Sequence, residues 1–491
     1  MAKFLMFQGT GSSVGKSLLT AGFIRFLARQ GWRVLPFKAQ NMSLNSGVTP
    51  QGEEIGRAQI LQAQAAFAQP DSRMNPILLK PQGKATTQVI VRGKVWGTLS
   101  AGDYYEHLPF FWEIVKDSLH SLARECELVV IEGAGSPAEI NLREKDIVNM
   151  KVATHLECPV FLIGDIERGG VFASLYGTWA LLPSSERNLL RGFVINKFRG
   201  DLEILKPGLE EIEKLTRVPV LGVLPYLSLS LDEEDSLSER LSKNSFPSAV
   251  KIGVLRFPHL ANYTDFQPLA AENDVGLSYL QVEDDWSSLD LLILPGTKNT
   301  IEDLSWFWER GGKEKIEDFL DRGGKVLGIC GGFQMLGEKI KDPLGIESGQ
   351  KEITGLGLLK METELKDNKT LQQVKGYWAT CPAAKVEGYE IHQGESRFWT
   401  AYPPFFLQEG GQKEGAVREG RIFGTYLHGL FDRSSFRRHF LNWLREEKDL
   451  PPLAATPSWS EVINQELDRW SETLEKYLAV GQMKKIIGLE K

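Results

Sequence analysis

Short apolar runs recur through the first half of the chain: KFLMF at residues 3–7, RVLPF at 33–37, LVVI at 128–131, VFLI at 160–163 and GFVI at 192–195. Runs of four or five residues bounded by polar or glycine-rich turns have the length of buried strands, not of helices. Longer amphipathic stretches separate them, the first at residues 16–30. Strands that alternate with helices pair in parallel, because the helix carries the chain back to the edge where the strand began. The expected fold is therefore α/β, with a doubly wound, mostly parallel sheet. Ligands of such sheets bind outside the carboxyl ends of the strands. The residues just after each run therefore carry the functional information.

The pattern breaks at about residues 228–249, where LSLDEEDSLSERLSKNSFPS is polar, charged and poor in aromatics. A second α/β pattern follows, with strands at 251–256, 289–294, 325–329 and 422–426. Past residue 434 the sequence reads as helical, at 436–448 and 459–477. This predicts a first domain over 1–230, a linker over 231–249, a second domain over 250–440 and a helical extension over 441–491. The 491 residues suffice for two to four domains at roughly 100–200 residues each. A net charge of -7 offers no overall basic field for nucleic acid or an anionic membrane. The four cysteines form no CxxC pair and no zinc spacing, as expected of a reducing compartment. No apolar run approaches the roughly 18–20 residues of a membrane span. The first strand begins at Lys3, leaving no room for a signal peptide. These features predict a cytoplasmic protein.

GTGSSVGKS, residues 9–17, follows the first strand and opens a helix, the context of a phosphate-binding loop. Glycines such as Gly11 and Gly15 let backbone N–H groups turn towards phosphate oxygens, and the helix N-terminus adds positive potential. Lys16 would reach the terminal phosphates and the Ser17 hydroxyl would ligate Mg²⁺. The loop departs from GxxxxGK[ST] at its first glycine, where Thr10 stands. Glu132, after LVVI, is placed to hold the metal. Asn196, after GFVI, could pair with a nucleobase edge through its amide.

A second centre lies in GKVLGICGGFQMLG, residues 324–337. Cys330 stands between a strand and a glycine-rich turn into a helix, the form of a nucleophile elbow. Gly331 can offer its N–H to an oxyanion, and Gly296, in LILPGTKNT, a second one. A helix N-terminus favours thiolate over thiol. The nucleophile needs a base: His428, in GTYLHGLF, and His392, in GYEIHQGES, are both available.

ICGGFQMLG with the late YLHG resembles the class I, triad-type glutamine amidotransferase domain, a flavodoxin-like α/β fold. That likeness implies Cys330 as nucleophile and His428 as base, with His392 shaping the site or touching substrate. The usual triad has a glutamate two residues after the histidine; here Leu430 stands there. The third member is thus absent or supplied from elsewhere, as in the cobyric/cobyrinic subfamily of these domains. The first half resembles dethiobiotin synthetase and its relatives, whose loop reads GTxxxxGK[ST], which accounts for Thr10. EGAG at 132–135 is similar to their magnesium-binding segment and Asn196 to their adenine-contacting asparagine. Residues 3–440 together resemble the cobyric acid synthase family of cobalamin biosynthesis. FKAQNMSLNS (37–46), GEEIGRAQ (52–59), NPILLKP (75–81), DIERGGVFAS (165–174), INKFRGD (195–201) and NYTDF (262–266) carry the match.

The resemblance implies ATP- and glutamine-dependent amidation of the b, d, e and g carboxylates of adenosylcobyrinic acid a,c-diamide, with Mg²⁺ as cofactor. Phosphoryl transfer would turn each unreactive carboxylate into an acyl phosphate, which ammonia attacks in a sheltered path. A corrinoid bearing many carboxylates needs basic and amide side chains around it. Lys38, Gln40, Asn41, Asn45, Arg57 and Lys80 are candidates, with Lys84, Arg92, Asp146 and His392 beside them. The alternatives are the sister activity, cobyrinic acid a,c-diamide synthase, and a non-catalytic ATP switch with a degenerate amidotransferase module.

Overall fold

Leu5, Met6, Leu128, Val129, Phe161 and Leu162 make both faces of their strands apolar, and such strands are stable only at the centre of a sheet covered on both sides. In the computed structural model, which describes residues 2–82, 86–231 and 248–489, all six side chains are fully buried. The strands run Val220–Pro225, Leu190–Phe198, Val160–Asp165, Lys3–Gly9, Leu128–Glu132, Val34–Phe37 across one six-stranded sheet. Every neighbouring pair is parallel. From the Lys3–Gly9 strand the chain goes first to one edge and later to the other. The order reverses at its carboxyl end, where the phosphate-loop sequence begins. Lys84 and residues 232–247 of the expected linker lie outside the described residues.

Two sheets that the periodicity did not reveal stand beside this core. One joins Gln40–Met42, Ile77–Gln82, Thr86–Val91 and Lys94–Ser100. The other is the small hairpin Ser46–Val48 with Glu54–Gly56.

The second half repeats the logic with a sheet ordered Val275–Leu280, Val250–Leu255, Leu291–Leu294, Lys325–Ile329, Ile422–Thr425, Ala416–Arg418. Only the last pair is antiparallel. A long antiparallel pair, Thr370–Trp378 with Cys381–His392, carries the His428 strand on its edge.

The end of the chain returns to the first half. The helix Lys16–Arg29 packs Phe23 on Phe7 of the sheet and presents Leu18, Gly22 and Arg25 on another side. That side is covered by the helix Trp459–Tyr477, whose Ile463, Leu467, Trp470 and Leu474 join the same apolar cluster. Gly22 makes the approach possible, since a Cβ there would lie 2.4 Å from the Trp470 ring. The Trp470 indole N–H donates to Leu18 O at 2.8 Å, and Arg25 pairs with Asp468 at 2.7 Å. Trp470→Ala empties the centre of this contact, and about 3–5 kcal/mol of stability is expected to go with it. Denaturant unfolding followed by nucleotide-domain fluorescence measures the loss, and a change below about 1 kcal/mol would show the contact to be peripheral.

Candidate active site

The loop from Gly9 to Lys16 is braced from behind. Gly15 has φ 94°, a conformation glycine adopts without strain. A Cβ there would lie 2.2 Å from Asn196 Nδ2. That amide donates to Val14 O at 2.9 Å, and Lys197 Nζ donates to Ser13 O at 2.8 Å. Asn196 thus supports the loop with one edge of its amide. Thr10 N donates to Ile163 O at 2.9 Å, tying the loop to the neighbouring strand. Lys16 Nζ donates to Gly11 O at 2.7 Å and Gly135 O at 3.3 Å, folded back over the loop.

Glu132 is 1% exposed at the end of its strand. Its Oε1 accepts from Ser17 Oγ and from Lys38 Nζ, each at 2.8 Å, and Oε2 accepts from Gln62 Nε2. Burial opposes the charged form. The Lys38 ammonium, by charge and hydrogen bond, and then Ser17 and Gln62 outweigh it and hold the carboxyl below its ordinary range. Ser17 and Glu132 therefore form an oxygen pair suited to a hard divalent cation. A cavity of about 290 Å³ lies against them, lined also by Gly15, Lys16, Asn41 and Met42. Lys38 and Asn41, candidate corrinoid residues by sequence, both belong to this cavity.

Cys330 sits at φ 51°, ψ −110°, a conformation that side chains avoid and that costs on the order of 1–3 kcal/mol. Its own backbone is locked, with N–H donating to Thr425 O at 2.8 Å. The turn closes only because its neighbours lack side chains: a Cβ on Gly332 would lie 2.0 Å from Leu294 O. The helix that follows is Gly331–Met335, five residues and little more than one turn, so its dipole is a minor influence on the sulfur. Cys330 is 9% exposed and opens on a cavity of about 50 Å³ lined by Gly296, Gly331, His428 and His392, together with Lys298, Lys369 and Lys80.

His428 is buried at 1% exposure. Its Nδ1 is 2.6 Å from Asp265 Oδ2, and Asp265 Oδ1 accepts from Gly429 N at 3.1 Å. Nε2 has no hydrogen-bond partner among the described residues. Burial works against the imidazolium. The Asp265 carboxylate outweighs it by charge and hydrogen bond, the Cys330 sulfur adds to the effect, and His428 is raised to about 10. His428 is accordingly charged at neutral pH. The acid missing at position 430 is thus found 163 residues upstream of the histidine. Leu430 itself is fully buried in the apolar core. Asp265 lies inside NYTDF, a run that stood out in the sequence without a role.

His392 takes a different position. Its ring stacks on Tyr426 at 3.8 Å and its Nδ1 meets Gly394 O at 3.0 Å. Of the other candidates, Gln40 bonds Tyr104, and Arg92 is spent on Asp117 and Ser118 beside the helix Leu108–Leu122. Asp146 accepts from Val148 N at 2.8 Å and Asn149 N at 2.9 Å, holding the turn that leads into the helix Met150–Leu156. Asn45 is buried, and its carbonyl accepts from Arg57 N at 3.2 Å. The Arg57 guanidinium lies 4.0 Å from Asp432 of the second half.

Lys80 lines the Cys330 cavity and not the one beside Glu132. It is on the seam between the halves, with Glu54 of the hairpin held between Lys80 Nζ at 2.8 Å and Lys369 Nζ at 2.6 Å. All three are buried. Burial opposes the Glu54 charge, but the two lysines hold its carboxyl far below the ordinary range. Burial also pushes Lys369 down, to about 7. Among the described residues no helix is long and apolar enough to cross a membrane.

Two family descriptions match the chain. The CobQ/CobB/MinD/ParA nucleotide binding domain covers residues 5–237, and the CobB/CobQ-like glutamine amidotransferase domain covers residues 251–436. The chain is also similar to curated proteins described as cobyric acid synthase. That of Thermoanaerobacter sp. (strain X514) is 45% identical over 99% of this chain and 98% of its own. Those of Yersinia enterocolitica and Klebsiella pneumoniae are each 46% identical over 98% of this chain and 98% of theirs.

Proposed function

The chain belongs to the cobyric acid synthase family, glutamine-hydrolysing carbon–nitrogen ligases of cobalamin biosynthesis, and on that footing we propose how its two centres divide the work. The substrates are ATP, glutamine and adenosylcobyrinic acid a,c-diamide, amidated at its b, d, e and g carboxylates. Residues 1–230 form the synthetase domain and 250–440 the glutaminase domain, with 441–491 as a helical extension whose part from Trp459 onward clamps the former.

In the glutaminase the Cys330 thiolate attacks the amide carbon of glutamine. The N–H groups of Gly296 and Gly331 receive the oxyanion. His428, held charged by Asp265, gives its proton to the departing nitrogen, and ammonia leaves a Cys330 thioester. His428 then draws a proton from water as water opens the thioester to glutamate.

In the synthetase, Gly11, Gly15 and Thr10 shape the loop around the phosphates of ATP. Lys16 swings from Gly11 O and Gly135 O to meet them. Mg²⁺ would be held by Ser17 and Glu132, supplying charge neutralisation at the transferring phosphoryl group. The Asn196 carbonyl oxygen, the amide edge not spent on Val14, would accept from the adenine amine. Asn41 stands at the wall of this cavity as a corrinoid contact, with Gln40 next to it in the chain. Lys38 is committed to Glu132 and Lys80 to Glu54, so both act on substrate only through those carboxylates.

The observation that carries the proposal is the lining of the Cys330 cavity by Lys80 of the other domain. Ammonia released there starts on the seam, not in bulk water. Mass spectrometry of the corrinoid product is the test. Four amidations of the a,c-diamide are expected, each consuming one ATP and one glutamine. Faster turnover of cobyrinic acid itself would overturn the choice of substrate.

A further inference from the structure

A single residue of the synthetase domain, Ser46, touches both the turn that carries Asp265 and the ring that stacks on the catalytic histidine of the other domain. Ser46 is fully buried, on the hairpin strand Ser46–Val48. Its N–H donates to Asn262 Oδ1 at 3.0 Å, and its carbonyl accepts from the Tyr389 hydroxyl at 3.0 Å. Asn262 begins the turn Tyr263–Phe266 that presents Asp265 to His428. The Tyr389 ring stacks on the His428 ring, 5.5 Å between centroids and 20° between planes. The Ser46 side chain is fixed in turn, bonded to Glu54 and to Lys80, each at 2.8 Å.

From this arrangement we infer that the glutaminase triad is positioned from outside its own domain, with Asn262 and Tyr389 as positioning residues that transmit the hold of Ser46 to His428. The inference rests on the assignment of Cys330, His428 and Asp265 as the glutaminase centre. Asn262 has φ 52°, a conformation that restricts the choice of residue and leaves asparagine or glycine as the easy occupants. Its side chain is spent across the seam. On a turn that only had to place Asp265, the same backbone would need no amide pointing at another domain. Tyr389 could stack on His428 without its hydroxyl; the hydroxyl reaches across the seam to Ser46 O. The two bonds hold opposite sides of one object: the turn fixes Nδ1 of the imidazole and the ring fixes its plane. A general acid that must meet the leaving nitrogen within a few tenths of an ångström depends on both.

The test uses the full chain carrying Asn262→Gly, which removes the acceptor and tolerates the backbone, and Tyr389→Phe, which removes the hydroxyl and keeps the ring. Glutamate release and corrinoid amidation are measured with glutamine and, separately, with ammonium chloride. Asn262→Gly is expected to lower the glutamine kcat about tenfold and Tyr389→Phe about threefold, with KM for glutamine changed less than about twofold. The alkaline limb of the glutamate-release profile should move to lower pH as His428 slips from Asp265. Amidation from ammonium chloride should stay at the wild-type rate. Wild-type glutamine kcat in both variants, or a raised KM with kcat unchanged, overturns the inference. If Asn262→Gly also loses ammonium-driven amidation, it has damaged the fold, and Tyr389→Phe alone decides by the same criteria. Cys330→Ala run in parallel separates the two ideas. Its failure to abolish glutamine use would sink the glutaminase assignment, whereas its success with indifferent Asn262 and Tyr389 variants would sink only the positioning role.

Discussion

Cys330→Ala removes glutamine-driven amidation by at least about a thousandfold and leaves ammonium-driven amidation intact. The thiolate has no substitute in the cavity: the other polar side chains that line it are lysines, amides, two threonines, Glu347 and two histidines, none of which forms a thioester. The substitution itself is mild. Alanine meets the same φ of 51° as cysteine and asks for no more space. The contact of the Cys330 sulfur with Ile391 O is long, 3.7 Å, so its loss there costs little. Steady-state assays with each nitrogen source separate the outcomes. Parallel loss of both activities would mean that Cys330 supports the synthetase, and retention of both would mean that glutamine is opened elsewhere.

Asp265→Asn should lower the glutamine kcat by about 10³–10⁴, the scale seen when an orienting carboxylate behind a catalytic histidine becomes an amide. The amide occupies the same volume but carries no charge, so His428 loses what raises it to about 10 against burial. Its imidazolium is then lost at lower pH, and the alkaline limb of the kcat/KM profile moves down. Stability moves in step. A histidine whose folded value is raised contributes stability that is complete below its unfolded value of about 6.5 and is lost as pH rises through the folded value. The stability gap between wild type and Asp265→Asn should therefore be widest near pH 6 and close towards pH 10. Denaturant melts across that range measure it. A gap that is constant with pH would mean that the aspartate serves the Gly429 N–H and not the histidine.

The doubly wound sheet was legible because its strands are unbroken apolar runs, a pattern no exposed segment sustains. Cys330 and Lys16 were legible because tight turns force glycines into fixed spacing around them. What escaped were arrangements that depend on distance in space alone. The hairpin Ser46–Val48 with Glu54–Gly56 has three residues per strand, too few to display a period. Asp265 lies far along the chain from His428, and nothing local distinguishes it from any acid in a turn. Lys38 and Lys80 show how charge misleads: their sequence context announces a cation but not its partner. Both partners, Glu132 and Glu54, are buried carboxylates of the same domain. The five-residue length of the helix after Cys330 also lay beyond the glycine pattern.

The docking of Trp459–Tyr477 on Lys16–Arg29 has a consequence for biosynthesis of the polypeptide itself. Domains fold as they leave the ribosome, the N-terminal one first. Here the nucleotide domain cannot finish when its own strands have emerged, because the cover for Leu18 and Gly22 is encoded more than four hundred residues later. Throughout translation of the glutaminase that apolar face stays open on the nascent chain, a surface for chaperones or for aggregation. Only the last stretch to be made closes it, so a truncated message yields a protein whose earliest domain is the one left incomplete.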